Sequence, residues 1–503
     1  MINFSLIKAI LIFRRINNIN KNANKKIILM PNEQSLSEVL SILPLYLSVA
    51  NAGYRIKIYL SIRNIRTIFY YLLIGINSFY FLSTKSFCKK KNIINEPKLN
   101  INKSINATLM RHYKVESIDS VPEEAKSKLL ITCREILNGI VKQNFKNIYG
   151  VFFTDYHYIP QGVIKSYLEK YIPTINLFDY HVGHKNSTLI INLLNKGTLA
   201  RHPFSPPINE FLNEIKNISK KDSEIKVKKI QDELLSLYKQ SSWYEVSRTS
   251  SFINIFNRSK EELLKDIQFK KNKKIFAIFP HIYFDTSAFS GKDLYKDYKD
   301  WFEKTTKFIL ENTDSYIIIK DHPANLQKYA YDSQVYKSPI KSYLNKLNKN
   351  YRKRYLYLSP KTEISALNII NISNCILTVR GTIGVEAALF GKPVIFAGEG
   401  RYNGYGFGFF PKNIRAYHKL LLDFSRIDKQ LSYLEKLNAA SYLEILWERM
   451  TYYSKIISVS YPKNPNKKIF TSINTLNIKR TLDEIKGLSE WLKDPKECYL
   501  SKN

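Results

Sequence analysis

LTVRGTIGVEAALFGKPVIFAGEGRYNGYGFGFFP, residues 377–411, reads as strand, turn, helix, strand and glycine-rich loop in unbroken succession. The run Cys375-Ile376-Leu377-Thr378-Val379 has the apolar, β-branched character of a strand buried on both faces. Gly381 then permits a tight turn, and Thr382 stands as the N-cap of a helix from Ile383 to Phe390. Gly391 supplies a left-handed stop and Pro393 opens the next strand, Pro393 to Ala397. A strand that feeds a helix and then another strand predicts a parallel sheet in an α/β fold.

A second signal, IIIKDHP at residues 317–323, closes another such strand, Tyr316 to Ile319. Ligands of open parallel sheets sit at these strand ends. Unpaired N–H groups in the first turn after Thr382 suit a phosphate, and Glu386, one turn in, could accept from ribose hydroxyls. Pro323 pre-sets the turn after His322 and aims its imidazole across the strand ends, where it could donate to a phosphate oxygen. The competing reading is plain scaffolding, with His322 capping a helix or satisfied in the core.

From Ile275 to Pro411 the chain resembles the donor-binding half of capsule and surface polysaccharide biosynthesis glycosyltransferases, GT-B enzymes similar to bacterial Kdo transferases and polysialyltransferases. The matching blocks are IFPHIYFDTSAF, DWFEKTTKFIL and SYIIIKDHP, followed by Arg380 to Gly406. The resemblance implies transfer of a sugar from a nucleotide-activated donor, often a CMP-linked one. It implies that His322 and Thr382 bind the donor phosphate, with Pro323, Arg380 and Gly381 beside them. Glu386 would meet the ribose or a nearby donor group, and Tyr402 with Gly404 and Gly406 would form a loop beside the donor. Departures fall on Arg380 and Gly381, where small hydroxyl residues are usual, on His281, where Asn is common, and on Phe409-Phe410. A retaining GT-B class carries a second acid eight residues before its Glu; Thr378 stands there, which disfavours that class.

The 503 residues suggest two domains, and an apolar content of 44% supports globular cores. A net charge of +35 is spread along the chain among many Asn and Ile, with no zinc-finger spacing or RNA-recognition signature, so nucleic acid is not the expected partner. An anionic membrane surface or an acidic glycan fits better. Cys88, Cys133, Cys375 and Cys498 are far apart, which fits a reducing cytosol and core packing. The N-terminal apolar stretch is short and bounded by Arg14 and Arg15, unlike a signal peptide. Ile68 to Leu82 is too short to span a bilayer.

Lys26 to Met30, a helix Ser35 to Ala52 and Tyr54 to Leu60 form a βαβ opening. Lys85 to Asn106 reads as a long loop, Pro122 to Gln143 as a helix and Ile148 to Phe153 as a strand. Asp155 and His157 follow that strand and are the candidate catalytic bases on an acceptor hydroxyl. Alternatively, Asp155 caps the next helix and His157 packs among tyrosines. Asp179, His181 and His184 lie in what reads as a loop, Phe178 to Lys185, without helical metal-ligand spacing, so no metal site is expected. Glu210 to Gln240 reads as a charged, solvated helical segment without evident chemistry, and Ile414 to Tyr453 as helices.

The expectation is therefore an α/β, GT-B-like chain of two Rossmann-like domains with a ligand cleft between them. The division is 1–250 on the acceptor side, 251–460 for the nucleotide-sugar donor, and 461–503 as linker and helix. No cofactor is required. The expected partners are a nucleotide-sugar donor and a glycan or glycolipid acceptor, with the protein cytoplasmic or peripheral on the inner face of the membrane. The alternatives are a CDP-polyol phosphotransferase of the teichoic-acid type, disfavoured by Val379-Arg380-Gly381-Thr382, and a non-catalytic assembly scaffold.

Overall fold

The computed structural model describes residues 24–30, 36–61, 65–73, 76, 79–82, 101–194, 202–240, 269, 272–285, 291–460, 470–474 and 478–501, apart from 142, 217, 331 and 363, together with 11, 14 and 15. The chain divides into two compact units, one of residues 1–112, 121–199 and 447–503, the other of residues 113–120 and 200–446.

The first unit holds β1 (Lys26–Met30), β2 (Arg55–Ser61), β3 (Phe79–Leu82), β4 (Ile148–Phe153), β5 (Asn176–Val182), β6 (Thr188–Leu193) and β12 (Thr451–Tyr453) in the order β12-β6-β5-β4-β1-β2-β3. β1 to β5 run parallel, and β6 and β12 are antiparallel additions. The parallel part winds 3-2-1-4-5, the Rossmann order, with its switch point between β1 and β4. A small antiparallel pair, β13 (Ile457–Ser460) and β14 (Phe470–Ile473), accompanies it.

The second unit contains a five-stranded, fully parallel sheet in the order β11-β10-β7-β8-β9. Its strands are β7 (Ile275–Ile278), β8 (Tyr316–Lys320), β9 (Tyr355–Leu358), β10 (Cys375–Thr378) and β11 (Val394–Phe396). Counted within the unit this is again 3-2-1-4-5, with the switch point between β7 and β10. All residues of β7, β8, β10 and β11 are buried, as expected for strands covered on both faces. On one face Phe276, Ile278, Ile317, Ile319 and Leu377 meet Trp301 and Phe302 of the helix Tyr298–Asn312 and Tyr417 of the helix Ile414–Arg426. Asp297 caps the first of these helices by accepting from the Asp300 amide, and Trp301 donates to the Tyr417 hydroxyl at 3.0 Å.

Several expectations are corrected. Ser35 to Ala52 is two helices, Leu36–Ser41 and Leu43–Asn51, because Pro44 lacks an N–H and begins a new helix. Phe178 to Val182 is strand rather than loop: the buried Asp179 is registered opposite Asn192, whose amide donates to it at 2.9 Å. The helix Asn102–Tyr113 begins inside the stretch read as loop, and residues 83–100 lie outside the described residues. Thr451–Tyr453 is a strand pairing with β6, which puts residues 447–503 in the first unit and not in a separate tail. The helix Lys220–Gln240 groups with the second unit because Ile230, Leu234 and Tyr238 are buried along it, so it is not merely a solvated face. No helix among the described residues is long and apolar enough to cross a membrane.

Candidate functional site

At the switch point of the second unit, the chain leaving β7 brings His281 against the chain leaving β10. His281 Nε2 accepts the backbone N–H of Arg380 at 3.1 Å and lies 3.3 Å from Thr378 Oγ1. A backbone amide can only donate, so the imidazole proton is on Nδ1. The ring stacks on Tyr298, with centroids 4.3 Å apart. Burial, and then the charges of Arg380, His322 and Arg401, hold the His281 pKa well below the usual histidine range.

β8 ends at Lys320, and Asp321 and His322 follow it. The fully buried Asp321 carboxylate accepts from Tyr336 (2.8 Å), Ser338 (2.7 Å), Tyr357 (2.8 Å) and Asn325 (2.9 Å), which fixes the path of the chain into His322. His322 is half-buried, and its Nδ1 accepts the Ala324 N–H at 3.2 Å. Its proton is therefore on Nε2, which is the donor that a phosphate oxygen requires. Burial first, and Lys328 second, push its pKa down to about 4. Lys328 is itself paired with Asp285 at 2.7 Å. Pro323 leads directly into the helix Ala324–Ala330.

After β10, the buried Arg380 guanidinium is bound by Asp293, so this charge is already answered inside the protein. Gly381 does not have a left-handed backbone; it is needed for close approach, because a Cβ there would lie 2.9 Å from Thr378 Oγ1. Thr382 has a helical backbone and makes no side-chain cap bond, unlike the expected N-cap. Glu386 is buried, and its carboxylate accepts from Tyr238 of the helix Lys220–Gln240 at 2.5 Å.

The segment after β11 is tied to residues 292–294, with Leu294 donating to the Ala397 carbonyl at 2.9 Å and Glu399 to that of Lys292 at 3.0 Å. Gly400, at φ +52°, lies so close to Arg380 that a Cβ would meet the Arg380 Cβ at 2.7 Å. The guanidinium of Arg401 lies over the rings of Phe204 and Tyr402, 5.5 and 5.4 Å from their centroids. Tyr402 is buried among Phe396, Phe407 and Tyr442, a packing position, while Gly404 is exposed at φ +93°.

The second unit thus gathers His322, Pro323, Arg380, Gly381 and Thr382 at neighbouring strand ends, together with His281 and Arg401, which sequence reasoning did not nominate. His281 had a readable signal, since it follows an apolar strand just as His322 does. In the first unit, Asp155 and His157 both follow β4. Asp155 is paired with Arg111 at 3.0 Å, and the His157 ring packs 4.2 Å from that of Tyr156. No side chain caps the next helix, Gln161–Tyr171, and its first residue Gln161 instead ties the strand ends: its Oε1 accepts the amides of Thr154 and Asp155, each at 3.0 Å, and its Nε2 donates to Met30 O at 3.0 Å. His181 pairs with Asp179 at 3.0 Å, and no group of three metal-ligating side chains occurs among the described residues.

A five-stranded parallel sheet in this order, with polar groups at its switch point, defines a Rossmann-type α/β unit. Residues 216–414, which contain all of that sheet, match the family model described as capsule polysaccharide biosynthesis protein. No curated protein sequence matches the chain. Among solved structures, the chain is similar to Thermosulfurimonas dismutans KpsC, a beta Kdo 2,4 transferase, at 13% identity over 67% of this chain and 88% of that one, TM-score 0.35. It is also similar to the beta Kdo 2,7 transferase of the same KpsC, at 16% identity over 68% and 84%, TM-score 0.29. Anabaena Alr3699/HepE in complex with UDP and glucose is similar at 11% identity over 84% and 95%, TM-score 0.26.

Proposed function

We propose that the protein is a glycosyltransferase of capsule or surface polysaccharide biosynthesis, moving a sugar from a nucleotide-activated donor, with CMP-linked donors tried first, to a glycan or glycolipid acceptor. The observation that carries this reading is the tautomer of His322: a neutral imidazole at a strand end of the family-matched sheet, with Nε2–H as its donor. As the bond between the anomeric carbon and the phosphate oxygen breaks, negative charge gathers on the phosphate, and a fixed N–H aimed there stabilises it. The acceptor hydroxyl must lose its proton to a base, for which Asp155 and His157 are the proposed groups. Arg380, Gly381 and Thr382 are proposed to line the donor site by their backbone. Glu386, Tyr402 and Gly404 are proposed as its supports. The basic chain is proposed to work at the inner face of the membrane, where anionic lipid and glycolipid acceptors meet.

The test is nucleotide release from a panel of CMP-, CDP-, UDP- and GDP-sugars in the presence of a membrane glycolipid fraction. Turnover of one donor class, lost in His322→Ala, is expected. Absence of turnover and of nucleotide binding with every donor would overturn the reading in favour of a non-catalytic scaffold.

A further inference from the structure

Two arginines follow neighbouring strands, Arg380 after β10 and Arg401 after β11, and they are not equivalent. Arg380 is neutralised by Asp293. Arg401 has no carboxylate within ion-pair distance among the described residues, and its Nη1 is sealed from solvent without a hydrogen-bond acceptor. The residue as a whole is half-buried. Its other surroundings are the ring faces of Phe204 and Tyr402, which hold a cation in place but do not cancel its charge. Ser205 Oγ, at 3.0 Å, and the Tyr442 hydroxyl, at 3.4 Å, both donate to the Arg401 carbonyl, so the backbone under the side chain is fixed. Gly400 presses on Arg380, whose amide is held by His281, which sets Arg401 beside the same strand ends.

A partly desolvated cation without a counter-charge is unfavourable in the free protein and favourable once an anion arrives. We propose that Arg401 is an anion-binding group of the second unit's strand-end site, taking a phosphate or a sugar carboxylate of the donor. Arg380, the arginine nominated from sequence, is the scaffold ion that shapes the loop. This inference rests on the glycosyltransferase reading and assigns one of its ligand contacts. Guanidinium suits the role, because its planar fork matches either oxyanion.

The experiment measures melting temperature and affinity for CMP, UDP and free Kdo in the full chain, as wild type, Arg401→Met, Arg401→Lys and His322→Ala. Arg401→Met is expected to leave the ligand-free melting temperature unchanged or raised, since an unanswered charge is removed, and to weaken one ligand class at least tenfold. Loss confined to CMP or UDP identifies a phosphate contact, and loss confined to Kdo identifies a carboxylate contact. Arg401→Lys, which keeps the charge but not the fork, is expected to fall between. A destabilised Arg401→Met protein that binds every probe like wild type would overturn the inference, leaving Arg401 as packing. In that case the transferase reading still stands if His322→Ala has lost nucleotide affinity. Failure of wild type to bind any probe would overturn both.

Discussion

His281 Nε2 holds the backbone N–H of Arg380 at 3.1 Å, so an imidazole latches the chain leaving β7 to the chain leaving β10. His281→Ala would orphan that amide and is expected to lower stability by about 1–3 kcal/mol. His281→Gln, whose Oε1 reaches the position of Nε2, is expected to recover part of it. Urea denaturation of the three proteins checks the order.

His322 makes stability pH-dependent in a definite direction. In the unfolded chain it takes up a proton near 6.5, whereas in the folded protein burial and Lys328 delay this to about 4. Between these values the unfolded state binds more protons, so acid favours unfolding. The contribution is complete above pH 6.5 and lost as pH falls toward 4, on the order of 1–3 kcal/mol. A His322→Phe protein is expected to lose less stability between pH 7 and 4 than wild type, as read by calorimetry. An equal loss in both would contradict the assignment.

Asp321 collects four donors in a buried pocket, three of them on Oδ2. Tyr357→Phe removes one and is expected to lower stability by about 1 kcal/mol. Asp321→Ala strands all four and is expected to lower it by roughly 3 kcal/mol or more. Chemical denaturation separates the two.

Tyr238 donates to the buried Glu386 at 2.5 Å. Tyr238→Phe leaves that carboxylate short of a donor, with an expected loss of about 1–3 kcal/mol. Glu386→Gln distinguishes support from ligand contact. If Glu386 meets the ribose, nucleotide affinity falls with stability unchanged; if it only braces the helix Lys220–Gln240, stability falls and affinity in the folded protein does not.

Asp155 is paired with Arg111 in a partly exposed bridge, so Arg111→Gln is expected to change stability by less than about 1 kcal/mol. Asp155→Asn is expected to abolish sugar transfer while nucleotide binding persists. Retained transfer in that protein would move the base to His157, and His157→Ala then decides.

The strands of the second sheet were legible because each is a run of buried residues between polar turns, as in Tyr316–Lys320. β5 was not, because Asp179 and His181 look like a loop until Asn192 is seen across the register. Long-range pairing also hid β12, which joins β6 from the far end of the chain. His322 was readable from its place after a strand. The assignment of charge between Arg380 and Arg401 was not, since it turns on Asp293, distant in sequence and adjacent only in the fold.

The two units wind their parallel strands in the same order, yet their switch points have different vacancies. In the first, the side-chain amide of Gln161 takes up the Thr154 and Asp155 N–H groups, which are the donors an anion would use there, and ties them to the Met30 carbonyl. One glutamine thus acts as a rivet across the strand ends. The same winding carries two different fillings: a glutamine side chain bridging the strand ends in the first unit, and the imidazoles of His281 and His322 at those of the second.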